Sequence, residues 1–197
     1  MFDVTMMPNV GIVIACLKGL FYTNDSNDTV HLIESGCFIS VDTYKDTLYA
    51  YYSDDDVIQT YSSKGSCPPE IYIDCRQRNI ATIAVNGEKI VVSDYARLAF
   101  EVLSLTGETL HTYKYYPRNK DNFPRYQRLY QADTDGALLI VEEGSNQLLL
   151  LDKSQNWNVV DIDHEMSVIN GTMYVNNVLY VQGCKDNKPK LCKYTAK

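Results

Sequence analysis

The chain has 197 residues, 45% of them hydrophobic, a formal charge of −7 at pH 7 and an isoelectric point near 4.9. That length and apolar content suit one folded domain with a substantial core, and the acidic balance argues against non-specific binding to nucleic acid or anionic membrane, which rests on positive potential. The longest apolar stretch, Val10 to Leu17, is far too short to span a bilayer, and no basic and apolar leader follows Met1, so the expectation is a cytoplasmic chain with no membrane contact.

Sixteen Tyr against ten Gly and six Pro favour strands, because aromatic and β-branched side chains fit a pleated surface. The first stretch, Asp3 to about Glu34, reads as short strands with turns at Lys18-Gly19 and Asn24 to Asp28. The second begins at Cys37-Phe38-Ile39-Ser40-Val41, turns at Asp42 to Asp46, runs through Leu48 to Tyr52, breaks at Ser53-Asp54-Asp55-Asp56 and resumes at Val57 to Tyr61. Pro68-Pro69 then puts Ile71-Tyr72-Ile73 at an outer edge, where missing amide donors do least harm.

The third stretch is the most regular. Ile80 to Val85 leads into an Asn86-Gly87 turn, a β-branched run Ile90-Val91-Val92, a polar break Ser93-Asp94-Tyr95, a second run Phe100 to Leu105 and a closing turn at Gly107, with Thr109 to Tyr116 beyond. Four short strands in roughly 40 residues make a propeller blade, and a blade needs like neighbours because one sheet cannot bury both its faces. It recurs: the second strands begin at Ile12, Leu48, Ile90, Leu138 and Leu179, at spacings of 36, 42, 48 and 41. The expectation is an all-β propeller of four-stranded antiparallel blades at about 1–35, 36–78, 79–120, 121–165 and 166–197, in one domain.

The order Asn-Gly, short apolar strand, Ser-Asp, then an apolar strand ending in Gly resembles the NHL repeat, and the run of repeats resembles the C-terminal propeller of tripartite-motif (TRIM) proteins. Where that family carries Asn and Arg three and five residues after the Asp, this chain carries Arg97 and Ala99 after Asp94. The resemblance implies an NHL-type propeller, here about five blades of a ring that has six in the family, and so an incomplete propeller; a five-bladed ring lacking one strand is the alternative. It implies a longer parent of the TRIM ubiquitin-ligase type, or self-association through open blade edges. It further implies a non-catalytic module that selects a protein substrate or partner, with no ligase chemistry in this chain and no cofactor.

In propellers, connections from second to third strand and from blade to blade share one rim. On it fall Asp54, Asp55, Asp56, Asp94, Tyr95, Arg97, Glu142, Glu143 and Asp186 in one set of loops, and Arg76, Arg78, Tyr115, Tyr116, Arg118, Lys120, Phe123 and Arg125 in the other, so that acidic and basic loops alternate. A protein partner is the leading expectation. Tyr113 to Tyr130 holds Lys114, Arg118, Lys120, Arg125 and Arg128 against the single acid Asp121, with six aromatics between them; cations for phosphates and rings for unpaired bases are what single-stranded RNA requires. A solvated loop with its tyrosines in strands fits the same residues.

Asp54-Asp55-Asp56 lacks the spaced ligands of a calcium loop and reads as a solvated turn. Six Cys, with Cys67-x7-Cys75 and Cys184-x7-Cys192, do not make zinc knuckles; they read as reduced, mostly buried thiols, with a Cys184–Cys192 cross-strand disulfide as the rival. A propeller enzyme with a central metal needs several ligands in the channel, and His31, His111 and His164 all map to outer strands or their ends.

Overall fold

The computed structural model describes residues 2–7, 9–23, 30–62, 71–86, 88–94, 96–114, 127–132, 137–142, 147–151, 157–160, 168–175, 178–185 and 188–195; over 127–179 it describes strand path and register. The chain divides into two compact units, Met1–Tyr115 and Tyr116–Lys197. Every described element is a β-strand, and within each sheet strands consecutive in sequence pair antiparallel.

The first unit holds three four-stranded meanders: β1 (Phe2–Met7), β2 (Gly11–Cys16), β3 (Gly19–Thr23) and β4 (Val30–Ser35); β5 (Phe38–Tyr44), β6 (Thr47–Tyr52), β7 (Val57–Ser62) and β8 (Tyr72–Asp74); β9 (Ile80–Asn86), β10 (Lys89–Asp94), β11 (Ala99–Ser104) and β12 (Thr109–Lys114). The second unit holds a four-stranded sheet of β13 (Gln127–Ala132), β14 (Ala137–Glu142), β15 (Gln147–Leu151) and β16 (Trp157–Val160), and a three-stranded sheet of β17 (Val168–Val175), β18 (Val178–Lys185) and β19 (Lys188–Thr195). The recurring second strand is observed: Ile12, Leu48, Ile90, Leu138 and Leu179 lie in β2, β6, β10, β14 and β18.

The middle sheet of the first unit shows what the sequence encodes. Successive side chains on a strand point to opposite faces, so a strand covered on one side alone buries every second residue. In β6, Leu48, Tyr49, Ala50 and Tyr51 are all buried, because each face has its own core. Leu48 and Ala50 join Met7, Val13, Leu20, Phe38, Val41 and Tyr61 between the first and second sheets. Tyr49 and Tyr51 join Ile58, Ile73, Ile83, Ile90, Val92 and Leu103 between the second and third. Full burial of a Leu, Ile or Phe side chain stabilises by about 1.5–3 kcal/mol, so these two cores are the main attraction holding the sheets face to face.

At the inner end of each sheet the strands are joined by polar groups. The residue four before the hairpin end is Asp3 in β1, Ser40 in β5 and Thr82 in β9, given hairpin ends at Met7, Tyr44 and Asn86. The three line up: Ser40 Oγ donates to Asp3 Oδ2 at 2.6 Å and lies 3.2 Å from Thr82 Oγ1. Amides along the free edge of each first strand are taken up by side chains of the preceding one, Val41 N by Asp3 Oδ2 at 3.0 Å, Ile83 N by Ser40 Oγ at 3.1 Å and Val85 N by Asp42 Oδ2 at 2.6 Å. A free strand edge invites pairing with another chain, and here the edges of β5 and β9 are occupied from within.

Burial pushes the Asp42 carboxyl up from an ordinary 3.8 to about 6, against the amides of Val85 and Thr43, which favour the charged form, and with the neighbouring Asp3 adding repulsion. A carboxyl raised by folding contributes stability in full below its unfolded value of about 4, and that contribution is lost as pH rises through about 6. Asp42→Asn keeps an acceptor for Val85 and removes the charge. Relative to the native chain it is expected to gain up to about 3 kcal/mol between pH 4 and pH 7, read from urea midpoints, a difference that a constant offset across that range rules out.

The closing turn at Gly107 has φ +90°, and a Cβ built there would lie 2.5 Å from Ile73 Cγ2 of the neighbouring sheet. Both the backbone and the fit between sheets require glycine. Gly107→Ala is expected to cost about 2–3 kcal/mol in thermal or urea unfolding, whereas Asn9, whose φ of 63° asparagine tolerates, should accept glycine with little change.

Candidate functional site

Three connections form one stretch of rim between the second and third sheets. The turn from β6 to β7 is anchored through Ser53, whose amide donates to Cys37 O at 2.9 Å, and Asp54, whose Oδ2 accepts from Cys37 N at 3.2 Å. Asp56 takes the left-handed conformation at φ 54° and accepts from Tyr51 OH at 2.7 Å, while Asp55 stays exposed. The three carboxylates therefore diverge, as a solvated turn requires.

The connection from β8 to β9 hangs on that turn, Cys75 N donating to Asp56 O at 2.8 Å. Arg76 closes a fork on Asp74, Nε at 3.0 Å from Oδ1 and Nη2 at 2.6 Å from Oδ2, and these hydrogen bonds hold the Asp74 carboxyl down at about 2. Arg78 folds inward and its guanidinium is spent three ways: Nε to Glu101 Oε2 at 2.7 Å, Nη1 to Asp74 O at 3.1 Å and Nη2 to Thr109 Oγ1 at 2.9 Å.

From the other side, the turn between β10 and β11 brings Arg97 to the same carboxylate, its Nη1 3.0 Å from Glu101 Oε1. Asp94 supports that turn from within, its Oδ1 accepting from Ala96 N at 3.1 Å and Arg97 N at 3.0 Å. Glu101, 6% exposed, is thus held between two arginines that reach it from different sheet connections.

Of the residues that the sequence marks, Arg76, Arg78, Arg97, Asp54 and Asp55 share this rim. Tyr95, Tyr115, Tyr116, Arg118, Lys120, Phe123, Arg125 and Glu143 lie outside the described residues, as does most of the basic and aromatic stretch; Glu142 ends β14, opposite Gln127 and Gln147. One expectation needs correcting. Arg76 and Arg78 do not form a basic loop facing acidic ones, because Asp74 and Glu101 neutralise them at contact distance. This stretch of rim is a mixed-charge network, and the chain's whole formal charge of −7 lies within residues 1–115, where fifteen acidic side chains outnumber eight basic ones.

Glu101 and Asp74 were not singled out from the sequence. The signal for Glu101 is its setting, an acid inside the apolar run Phe100 to Leu105, since a carboxylate in a buried strand needs a cation. The thiols are less buried than expected. Cys75 is buried, and burial pushes it up to about 11, but Cys16, Cys37, Cys184 and Cys192 are only half-buried. None of the five is in a disulfide, and Cys184 faces Pro189 across the ladder while Cys192 faces Val181, so Cys184 and Cys192 do not stand opposite each other. His31, in β4, stacks on Tyr22 of β3, and His111 lies against Tyr113 in β12, so both histidines are on outer strands.

Burial decides which ion pairs matter. Arg78 is 14% exposed and Glu101 6%, so Arg78→Ala leaves a buried carboxylate short of a partner and is expected to cost about 2–4 kcal/mol. Arg76 is 74% exposed, and Arg76→Ala should leave the unfolding midpoint unchanged. Equal effects of the two substitutions in chemical denaturation contradict this assignment.

No protein-family model matches the chain, and no curated protein matches it. Solved structures do. A Bacteroides caccae protein of unknown function is similar over 98% of this chain and 77% of its own, with a TM-score of 0.67 at 13% identity. A catalytically inactive virginiamycin B lyase from Staphylococcus aureus, solved with quinupristin, is similar over 99% of this chain and 66% of its own, with a TM-score of 0.67 at 14% identity. YCF48, solved bound to a D1 peptide, is similar over 99% of this chain and 77% of its own, with a TM-score of 0.64 at 11% identity. The lyase and YCF48 are propeller-like, and identities this low speak for fold alone. Together with its four-stranded antiparallel sheets, they make this chain an all-β protein of the β-propeller class.

Proposed function

We propose that the chain is a non-catalytic recognition module that binds a protein partner through its loop rim. The observation that carries this reading is the junction at Glu101, where connections from two sheets are locked together while Arg76, Arg97, Asp54 and Asp55 remain at the surface. A rigid frame with exposed charges of both signs favours recognition by shape and charge pattern, since little ordering cost is left for binding. The positions of His31 and His111 on outer strands weigh against the metal-centred propeller chemistry that is the enzymatic alternative.

The finer reading is an NHL-type propeller of a TRIM-like ubiquitin ligase that selects the ligase's substrate. It rests on the Asn86-Gly87 and Ser93-Asp94 motifs and on the recurrence of second strands. In this account catalysis belongs to other parts of the parent, and the setting is cytoplasmic.

The test uses the full chain and a charge-reversed rim, Asp54→Lys with Asp55→Lys, checked for a native melt. A partner captured by proximity crosslinking, then purified, should bind the native chain and lose at least about tenfold in affinity to the variant. Equal affinity for both places recognition elsewhere. A labelled uridine-rich oligonucleotide should show no saturable binding at physiological salt; tight binding that falls steeply with salt overturns the protein reading in favour of RNA.

A further inference from the structure

Asp94 carries one acceptor that the fold leaves unused. Its side chain is completely buried and Oδ1 is filled by the amides of Ala96 and Arg97, but Oδ2, equally inaccessible, has no hydrogen-bond partner among the described residues. The cation beside it is Arg97, whose Nε stands 3.5 Å away, an ion-pair distance without a hydrogen bond. Arg97 is 51% exposed and its directed contact is to Glu101 Oε1. A buried carboxylate oxygen without a donor is unfavourable, and an ion pair at 3.5 Å that makes no hydrogen bond offsets this only in part, so the half-exposed guanidinium is a loose cover over a carboxylate that could be better satisfied.

We propose that Asp94 Oδ2 is the seat for a basic side chain presented by a protein partner at the rim, the incoming N–H groups replacing the Arg97 Nε while Arg97 keeps its hydrogen bond to Glu101. This rests on the rim-recognition reading and names the chemistry of its partner. A lysine ammonium or arginine guanidinium supplies the missing donor and the positive charge at once, and hydrogen bonds to a charged acceptor are among the stronger ones. The surroundings favour a cation: the acidic excess of residues 1–115 steers positive groups inward, and the exposed Asp54 and Asp55 lie on the same stretch of rim, joined to it through Asp56 and Cys75. Arg76 and Arg78 do not compete with the partner's cation for Asp94, because Asp74 and Glu101 already hold them.

The probe is a labelled peptide of Gly and Ser with one central Lys, with matched peptides carrying Arg or Gln, followed by anisotropy against the full chain. Arg97→Gln removes the cover and should tighten the Lys and Arg peptides by about tenfold over the native chain, with no gain for the Gln peptide. Adding Asp94→Asn, which keeps Oδ1 for the turn amides, should abolish that gain. If Arg97→Gln gives no gain, or the gain survives Asp94→Asn, the cations bind the acidic surface generally and the proposal fails. The carboxyl carbon resonance of Asp94 in the native chain gives a reading independent of variant folding; it should move on titration with the Lys peptide, and a resonance that stays put overturns the assignment. A captured partner that depends on the Asp54 and Asp55 charges but tolerates Asp94→Asn sinks this site and leaves the rim reading standing.

Discussion

The structure depends on the inability of a single four-stranded sheet to bury both of its faces. In β6 four consecutive residues are buried, and alternation sends Leu48 and Ala50 to one core and Tyr49 and Tyr51 to another. Neither core exists inside one sheet. Stability therefore belongs to pairs of neighbouring sheets, and a sheet deprived of a neighbour presents an apolar face to water.

Side-by-side sheets also bring together residues far apart in sequence, and the two ends of the junction use this differently. At the inner strands, Asp3, Ser40 and Asp42 occupy amides of the following sheet, which fixes spacing and covers edges that could pair with another chain. At the rim, Glu101 draws Arg78 and Arg97 from separate connections onto one carboxylate. The apolar cores supply the attraction and the polar groups set the register. The same buried-charge logic leaves Asp94 Oδ2 without a donor, because its neighbouring arginine is committed to Glu101.

Much of the fold was legible in the sequence, since the repeat is carried by local signals. The β-branched run Ile90-Val91-Val92 between Asn86-Gly87 and Ser93-Asp94 specifies strand, turn and strand without help from elsewhere, and its recurrence requires stacking. The site was legible only in part. Position on a rim follows from topology, so Arg78, Arg97 and Asp54 could be placed together. Whether a charge is spent or free depends on long-range partners such as Glu101 and Thr109, which no spacing announces, and so Arg76 and Arg78, expected in a basic loop, are paired instead. Cys184 and Cys192 show the same limit, because their pairing depends on ladder register and not on separation along the chain.

Amide hydrogen exchange tests the dependence of one sheet on the next most directly. Val41, Ile83 and Val85 donate across the sheet boundary to side chains, whereas Val91 lies inside β10, a central strand of the third sheet. If neighbouring sheets form one cooperative unit, the boundary amides exchange only through the global unfolding that releases Val91, with the same free energy and the same denaturant dependence. Boundary amides that exchange by local opening, well below the stability reported by Val91, would mean that each sheet holds together alone, and the account built on shared cores would be wrong.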